Sequence, residues 1–492
     1  MRDLVQRSDI VFHANAQRVM SRVFIPGEEE LIRGVSRARE LVDRCLALPE
    51  ETVESVLAST LERYQDRHRD LRQQFENHFS AVAGFVGDDA VLTEARRLLI
   101  GAYFTQEYAF EATAYFNPSI VEHPDQDHLP QGCLRFVMSI RAVGEGHISS
   151  VIFRTGLIGP DGAVQVDEAS PYATTEAHRY TVLRSALVKQ EVIDRGLETE
   201  ELDLVLGMLP DPFTPEELDV GLSQLHSMRP PDPEFEKLTD GLNQVVRSSY
   251  AVEFDESLDL SERVLWPTAP NERRGMEDAR WVRFVDGDSV LYRATYTGFD
   301  GASVSIRVLE TTDFRVFSSM DLSGVAAANK GVAFFPRKVG GRHLALSRWD
   351  RESSSIAWSE NGYHWEALST IQEPTRPWEL VHVGNCGSPM ETDEGWLVLT
   401  HGTGPMREYV MSALLLDLDD PSIVRGSLDS PLLTAESQER NGYVPNVVYS
   451  CGGIIHAGKL VLPYGFSDSG TRIAIVDLDE LLHELLRSGS GQ

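Results

Sequence analysis

Four times between residues 284 and 462 the chain repeats one unit: a short apolar run, a turn built on glycine, and a second apolar run ending in polar residues. The instances are 284–292, 337–346, 391–399 and 455–462, and their turn glycines are Gly287, Gly341, Gly395 and Gly458, spaced by 54, 54 and 63 residues. A repeat of about 50 residues holding several short strands is the signature of a β-propeller, in which each unit is one blade. Gly132, just ahead of the apolar run 134–141, supplies a fifth turn. The prediction is therefore a mainly β chain, a five-bladed β-propeller. Hairpin patterning alone leaves a β-sandwich open.

Two regions break the β texture. Leu31, Val35, Leu41, Val42 and Leu46, then Val53, Leu57, Leu61 and Tyr64, recur at helical spacing. Pro49 followed by acids suits a helix start, and a third helix is expected over 91–108. The charged stretch 62–70 reads as solvated surface, with an oligomer contact as the alternative. Helical spacing returns between about 174 and 228, at Tyr180, Leu183, Leu187 and Val192, beside proline-rich segments at 210–215 and 229–233. The expected organisation is a helical N-terminal region (1–106), a first part of the propeller (107–173), a helical insertion (174–240) and the remaining blades (241–492).

Charge narrows the function. Among 492 residues, 45 Lys and Arg face 76 Asp and Glu, a net charge of −31. Such a surface repels phosphate backbones and anionic lipid, so neither nucleic acid nor a membrane is expected as a partner. Any anion site must then be built locally from clustered basic residues. Cys45, Cys133, Cys386 and Cys451 are scattered without metal-ligand spacing, which predicts free thiols in a reducing compartment and no zinc site. With no run of about 18 apolar residues, the expected location is the cytoplasm.

The stretch 271–280, Asn-Glu-Arg-Arg-Gly-Met-Glu-Asp-Ala-Arg, holds the chemistry. Glu277 and Asp278 are adjacent carboxylates behind a glycine, with Arg273, Arg274 and Arg280 close by. Guanidiniums keep a carboxylate ionised and a neighbouring carboxylate opposes that, so the pair suits a tuned acid. The plainer reading is a salt-bridged turn at a strand entrance, with Glu277 orienting Arg280. Further along, Arg307, Lys330, Arg337, Arg348 and His401 stand in apolar β context, where burial is costly unless an anion is met. Singly each suits a structural ion pair; together they suit an anion pocket. Trp281, Trp378 and Trp396 read as packing, with Trp378 also able to stack on a ligand ring.

These residues fall in motifs that resemble glycoside hydrolase family 130, the β-mannoside phosphorylases and related β-mannosidases. The matching pieces are 275–280 (the family's Gly-x-Glu-Asp-Pro-Arg), 296–300, Asn329-Lys330 with Phe335-Pro336, 395–402, 415–421, 444–448, 464–468 and Asn117-Pro118. The resemblance covers about 107–170 and 245–485. It implies a central pocket for a β-mannoside with Asp278 as general acid, its proton passing through a sugar hydroxyl. Inorganic phosphate then attacks with inversion, giving α-mannose 1-phosphate. Phosphate binding would fall to Arg307, Lys330, Arg337 and His401. Substrate binding would fall to Asn117, Arg141, His147, Tyr296, Asp300, Arg348, Tyr443 and Asp468. No metal or organic cofactor is implied, phosphate being the co-substrate. An inverting β-mannosidase is the alternative and needs a second carboxylate, Glu391 or Glu439, as base; a non-catalytic carbohydrate-binding propeller is the other. Two departures, Ala279 for proline and Gly298-Phe299 for alanine-tyrosine, bear on the acceptor sugar. Acceptor, linkage and any homo-oligomer through the helical regions stay open at this level.

Overall fold

Each predicted glycine turn leads into the long second strand of an antiparallel meander. A computed structural model describes residues 4–26, 36–87, 92–175, 178–180, 183–194, 196–228 and 233–489. Its strands form five successive meanders. The first comprises Ala114–Glu122, Leu134–Val143, Ser149–Ile158 and Val164–Val166. The second comprises Gly275–Asp286, Ser289–Phe299, Val304–Thr311 and Val316–Asp321. In the third, Ala333–Phe334, His343–Ser347, Ser354–Ser359 and Glu366–Gln372 follow in order. The fourth is His382–Asn385, Gly395–Thr403, Tyr409–Leu416 and Val424–Ser427. Gly132, Gly287, Gly341, Gly395 and Gly458 all take positive φ, the region where a side chain would be strained. The chain is mainly β, as read from its period.

The fifth meander is completed from the far end of the chain. Val448–Tyr449, Lys459–Phe466 and Gly470–Asp477 are joined by Val5–His13, which pairs antiparallel with Gly470–Asp477. The sequence reading assigned residues 1–106 to a helical region, and this strand departs from it. Its partner lies more than 450 positions away, so no local pattern could announce the pairing.

The helices occupy the expected regions with shifted limits. Helices α1 (Arg37–Leu46), α2 (Glu50–Tyr64), α3 (Leu71–Val82) and α4 (Glu94–Tyr103) form the N-terminal group. Val53, Leu57 and Leu61 bury the predicted face of α2, whereas Leu31, Val35 and Val91 lie outside the described residues. The expected helix over 91–108 ends at Tyr103, and Thr105–Tyr108 pairs as a strand with Met20–Val23. The charged stretch 62–70 docks onto its own chain: Arg69 pairs with Glu262, and Arg67 and His68 with Glu107.

The insertion contains α5 (Ser185–Asp194), α6 (Glu200–Met208), α7 (Pro215–Met228) and α8 (Pro233–Ser248), packed on a core of their own. It runs eight residues past the expected limit of 240. Tyr180, read as helical, lies in a strand paired with Tyr250–Glu253; residues 229–232 of the proline-rich segment lie outside the described residues. A final helix, α9 (Leu478–Gly489), follows the fifth meander. Among the described residues no helix is long and apolar enough to cross a membrane.

Candidate functional site

First strands of two meanders carry the same irregularity at the same place. Pairing shifts register between Phe116 and Ser119 in the first meander and between Glu277 and Arg280 in the second. Within those bulges Asn117 (φ 49°) and Asp278 (φ 56°) are left-handed. A bulge breaks the alternation of a strand and re-aims a side chain, and strain of this kind concentrates at functional sites. Gly275 opens the second of these strands at φ 155°, and a Cβ there would lie 2.3 Å from Ser149 Oγ. The glycine thus permits the close approach of the first meander to the strand that presents Asp278.

Asn117 and Asp278 line one cavity of about 220 Å³ with Arg141, Arg280, Lys330, Arg348, His401, Arg407, Tyr409, Tyr449 and Asp468. Arg141 and Arg280 approach the Asp278 carboxylate at 3.5 and 3.7 Å. Arg280 also donates to the Asp278 carbonyl at 2.9 Å and to the Tyr449 hydroxyl at 2.8 Å. Burial pushes the Asp278 carboxyl toward its protonated form. The charges of Lys330, Arg280, Arg141 and Arg348 together outweigh that push and hold it below its ordinary value.

Glu277 does not orient Arg280. It accepts from Arg141 at 2.7 Å and from Lys330 at 2.5 Å, tying two of the cations that act on Asp278.

His401 belongs to the cavity as a neutral ring. Burial, aided by Arg348, His382 and Arg280, drives its pKa well below the usual imidazole value. Nδ1 lies 3.2 Å from the Asn385 carbonyl, so that nitrogen carries the proton; Nε2 then accepts from Arg348 at 3.3 Å. The cationic role expected of His401 does not fit these surroundings: the ring is neutral and accepts from Arg348. Asp468, left-handed at the hairpin tip of the fifth meander, is raised to about 6 by burial and by Asp278, with Arg141 opposing.

Several expected members lie elsewhere. Arg307 is fully buried, bound to Tyr296 and Asn271 at 2.7 Å, to Asp321 at 2.6 Å and near Glu272 at 3.3 Å. That guanidinium is consumed by its own carboxylates and is not at the cavity. Tyr296 is consumed by the same network, donating to Glu272 at 2.6 Å. Asp300 caps a turn through Ala302 and Ser303. Arg337 forms a two-pronged pair with Glu391 beside a separate cavity of about 380 Å³. Glu439 is buried against Tyr464 and Arg472. Neither carboxylate put forward as a hydrolytic base therefore lines the cavity of Asp278. His147 and Tyr443 stack on each other, ring centroids 5.8 Å apart. Trp281 and Trp396 are core, and Trp378 packs beside Gly402.

Sequence reasoning missed Arg407, Tyr409 and Tyr449 as cavity residues. Tyr409 opens the strand paired with the one carrying His401, a cross-strand signal that the motif search did not use. Among the described residues no group of three or more His, Cys, Asp or Glu side chains is placed to hold a metal ion.

Comparison with known proteins places this cavity in context. Residues 232–487 match the sequence model of glycoside hydrolase family 130, described as beta-1,4-mannooligosaccharide phosphorylase. A 1,2-beta-oligomannan phosphorylase of Thermoanaerobacter sp. (strain X514) is 32% identical over 249 residues, 48% of this chain and 80% of that protein. A beta-1,2-mannobiose phosphorylase of Listeria innocua is 32% identical over 235 residues, 45% of this chain and 63% of that protein. The solved structure of a Listeria innocua beta-1,2-mannobiose phosphorylase aligns at a TM-score of 0.44 with 21% identity, covering 76% of this chain and 92% of that one.

Proposed function

The chain belongs to glycoside hydrolase family 130, and from that premise we propose that it is an inverting phosphorylase, cleaving β-mannosides with inorganic phosphate to α-mannose 1-phosphate. We further propose that the five meanders are blades of a five-bladed propeller, with residues 1–106 and the insertion as helical additions. The propeller's central pocket is then the cavity of Asp278. The four free thiols support a reducing, cytoplasmic location.

One observation carries the reading: Lys330, Arg348, Arg280 and Arg141 all act on the strained carboxylate of Asp278, in a small cavity of an otherwise strongly acidic protein, with Asp468 the other carboxylate lining it. Phosphate brings its own negative charge, so what it needs is positioning and charge compensation. Water attack needs a second carboxylate as base, with about 6.5–9.5 Å between the pair. The bases put forward for that route, Glu391 and Glu439, are tied to Arg337 and to Tyr464.

Chemically, the Asp278 proton passes to a mannosyl hydroxyl, whose own proton goes to the glycosidic oxygen as the C1–O bond breaks. A phosphate oxygen bonds to C1 from the opposite face. Lys330 and Arg348 hold the phosphate, and His401 orients Arg348. Asn117, Arg141 and Asp468 hold the sugar. Asp278 is held ionised by the combined pull of Lys330, Arg280, Arg141 and Arg348. A phosphate dianion among them cancels their pull, leaving burial free to raise the carboxyl toward the protonated form that the first step requires. Phosphate thereby serves as nucleophile and as the agent that arms the acid. No cofactor enters this scheme.

The test is turnover of β-mannosides with and without phosphate, beside Asp278→Asn. Cleavage that yields α-mannose 1-phosphate only with phosphate, lost in the variant, is expected. Undiminished release of mannose in phosphate-free buffer would sink the reading.

A further inference from the structure

The first strand of the fourth meander, His382–Asn385, ends on a residue that is buried (1% exposed) and is not among the side chains lining the cavity. Asn385 nonetheless meets the groups that do from three directions. Its Nδ2 donates to the carbonyl of Gly331, the residue after Lys330. Its backbone carbonyl accepts from His401 Nδ1 at 3.2 Å and from the Tyr449 hydroxyl at 3.5 Å. His401 in turn accepts from Arg348 at 3.3 Å, and Tyr449 accepts from Arg280 at 2.8 Å. Lys330, Arg348 and Arg280, three of the cations that act on Asp278, are thus each one residue removed from Asn385. Arg280 stands on the second meander, Arg348 follows a strand of the third, and Tyr449 lies in the fifth.

The backbone around Lys330 shows why a tie is needed there. Lys330 stands between Asn329 (φ 63°) and Gly331 (φ 96°), both at positive φ. Strain of this kind persists only where the surroundings over-determine it. Asn329 supplies one restraint, donating to the Trp349 carbonyl and accepting from Arg351 Nε at 2.8 Å. The Asn385 amide supplies the other. Its orientation is fixed, because Oδ1 accepts from the Gly387 N–H at 3.3 Å and so leaves Nδ2 for Gly331. Gly384, next to it, has no room for a side chain: a Cβ there would lie 2.7 Å from His401 Cε1 and 3.3 Å from Arg348 Cδ. That glycine lets His401 and Arg348 close on the strand that carries Asn385.

We propose that Asn385 is a positioning residue of the phosphate site. It sets Lys330 through the Gly331 carbonyl, and its own carbonyl holds His401 and Tyr449, and with them Arg348 and Arg280. This rests on the phosphorylase reading and adds to it the residue that keeps the cations in register. Substituting the side chain cuts the tie to Gly331 and leaves the carbonyl ties, so the effect reaches phosphate through Lys330.

The experiment measures initial rates against phosphate and against mannoside. It compares the native enzyme with Asn385→Ala, Asn385→Asp and Gly331→Ala, and Lys330→Ala with Lys330→Ala/Asn385→Ala, each checked for folding by thermal melting. Phosphate KM should rise about ten-fold in Asn385→Ala, the scale of one buried hydrogen bond, with mannoside KM at saturating phosphate unchanged. Asn385→Asp keeps the volume but as a carboxylate cannot donate to the Gly331 carbonyl, so it should lose at least as much. Gly331→Ala strains the same tie from its other end and should also raise the phosphate KM. In the Lys330→Ala background Asn385→Ala should add almost nothing, because residues that act through one another are not additive. A lower melting temperature with phosphate KM unchanged, or the same loss with and without Lys330, overturns the positioning role alone. A native enzyme without phosphate-dependent cleavage overturns the phosphorylase reading. Titration calorimetry of inorganic phosphate into the native protein and Asn385→Asp then decides the positioning role by itself, equal affinities overturning it.

Discussion

Glu277 accepts a hydrogen bond from the ammonium of Lys330 at 2.5 Å, and its other oxygen accepts one from Arg141 at 2.7 Å. The residue beside the proposed acid therefore grips two cations, one assigned to phosphate and one to the sugar. A carboxylate so close to Lys330 competes with phosphate for the same ammonium. Glu277→Gln keeps the shape and removes the charge. The phosphate KM should fall several-fold, while kcat falls because Arg141 is held less firmly. Initial rates against phosphate and against mannoside separate the two effects; an unchanged phosphate KM refutes the competition.

Lys330→Ala removes the largest of the cationic influences on Asp278. Phosphate affinity should drop by about ten- to a hundred-fold, the scale of a hydrogen bond to a charged group. The same change lets burial act with less opposition, so the Asp278 carboxyl rises. The alkaline limb of the pH profile for kcat/KM, where loss of the acid's proton ends activity, should accordingly move to higher pH. A limb that stays in place would show that Lys330 does not act on Asp278.

Asp468 gives a sign that runs the other way. Its carboxyl is raised to about 6 by burial, so the folded protein binds more protons than the unfolded chain between about pH 4 and 6. Stability on this account is greatest below the unfolded value and is lost as pH rises through the folded one. Asp468→Asn, neutral at every pH, should raise the melting temperature at pH 7.5 and leave it unchanged near pH 3.5. The full two-unit shift corresponds to about 3 kcal/mol. Mannoside affinity should fall in the same variant, because a hydrogen-bond acceptor for sugar hydroxyls is weakened.

Arg307 should behave as structure and not as site. Arg307→Met leaves Glu272 and Asp321 without their buried partner, a change of about 3–5 kcal/mol. A large drop in melting temperature is expected, with the phosphate KM of the folded fraction unaltered. A selective rise in that KM would return Arg307 to the phosphate site.

What could be read from the residues follows the range over which each feature is decided. Turn glycines and period-two strands are set within a few positions, so Gly132, Gly287, Gly341, Gly395 and Gly458 mark all five meanders correctly. Asp278, Lys330, Asn117, His401 and Asp468 were legible because each lies in a contiguous motif, and the structure brings them to one cavity with Arg141 and Arg348. Arg307 and Arg337 carry the same charge in the same kind of strand, yet face Glu272 with Asp321 and Glu391 instead. Nothing in their own neighbourhoods distinguishes them from Arg348.

By itself, then, the sequence determined the mainly β architecture and the turns of five repeating meanders, and singled out Asp278 as the proposed acid, because glycine turns, alternation and short motifs act locally. Only the tertiary structure decided which cations reach that acid, that His401 is neutral, and that Val5–His13 completes the last sheet. Burial and ion pairing depend on groups brought together from distant parts of the chain. Their energies are set by what surrounds a side chain in space, which no window of neighbouring residues contains.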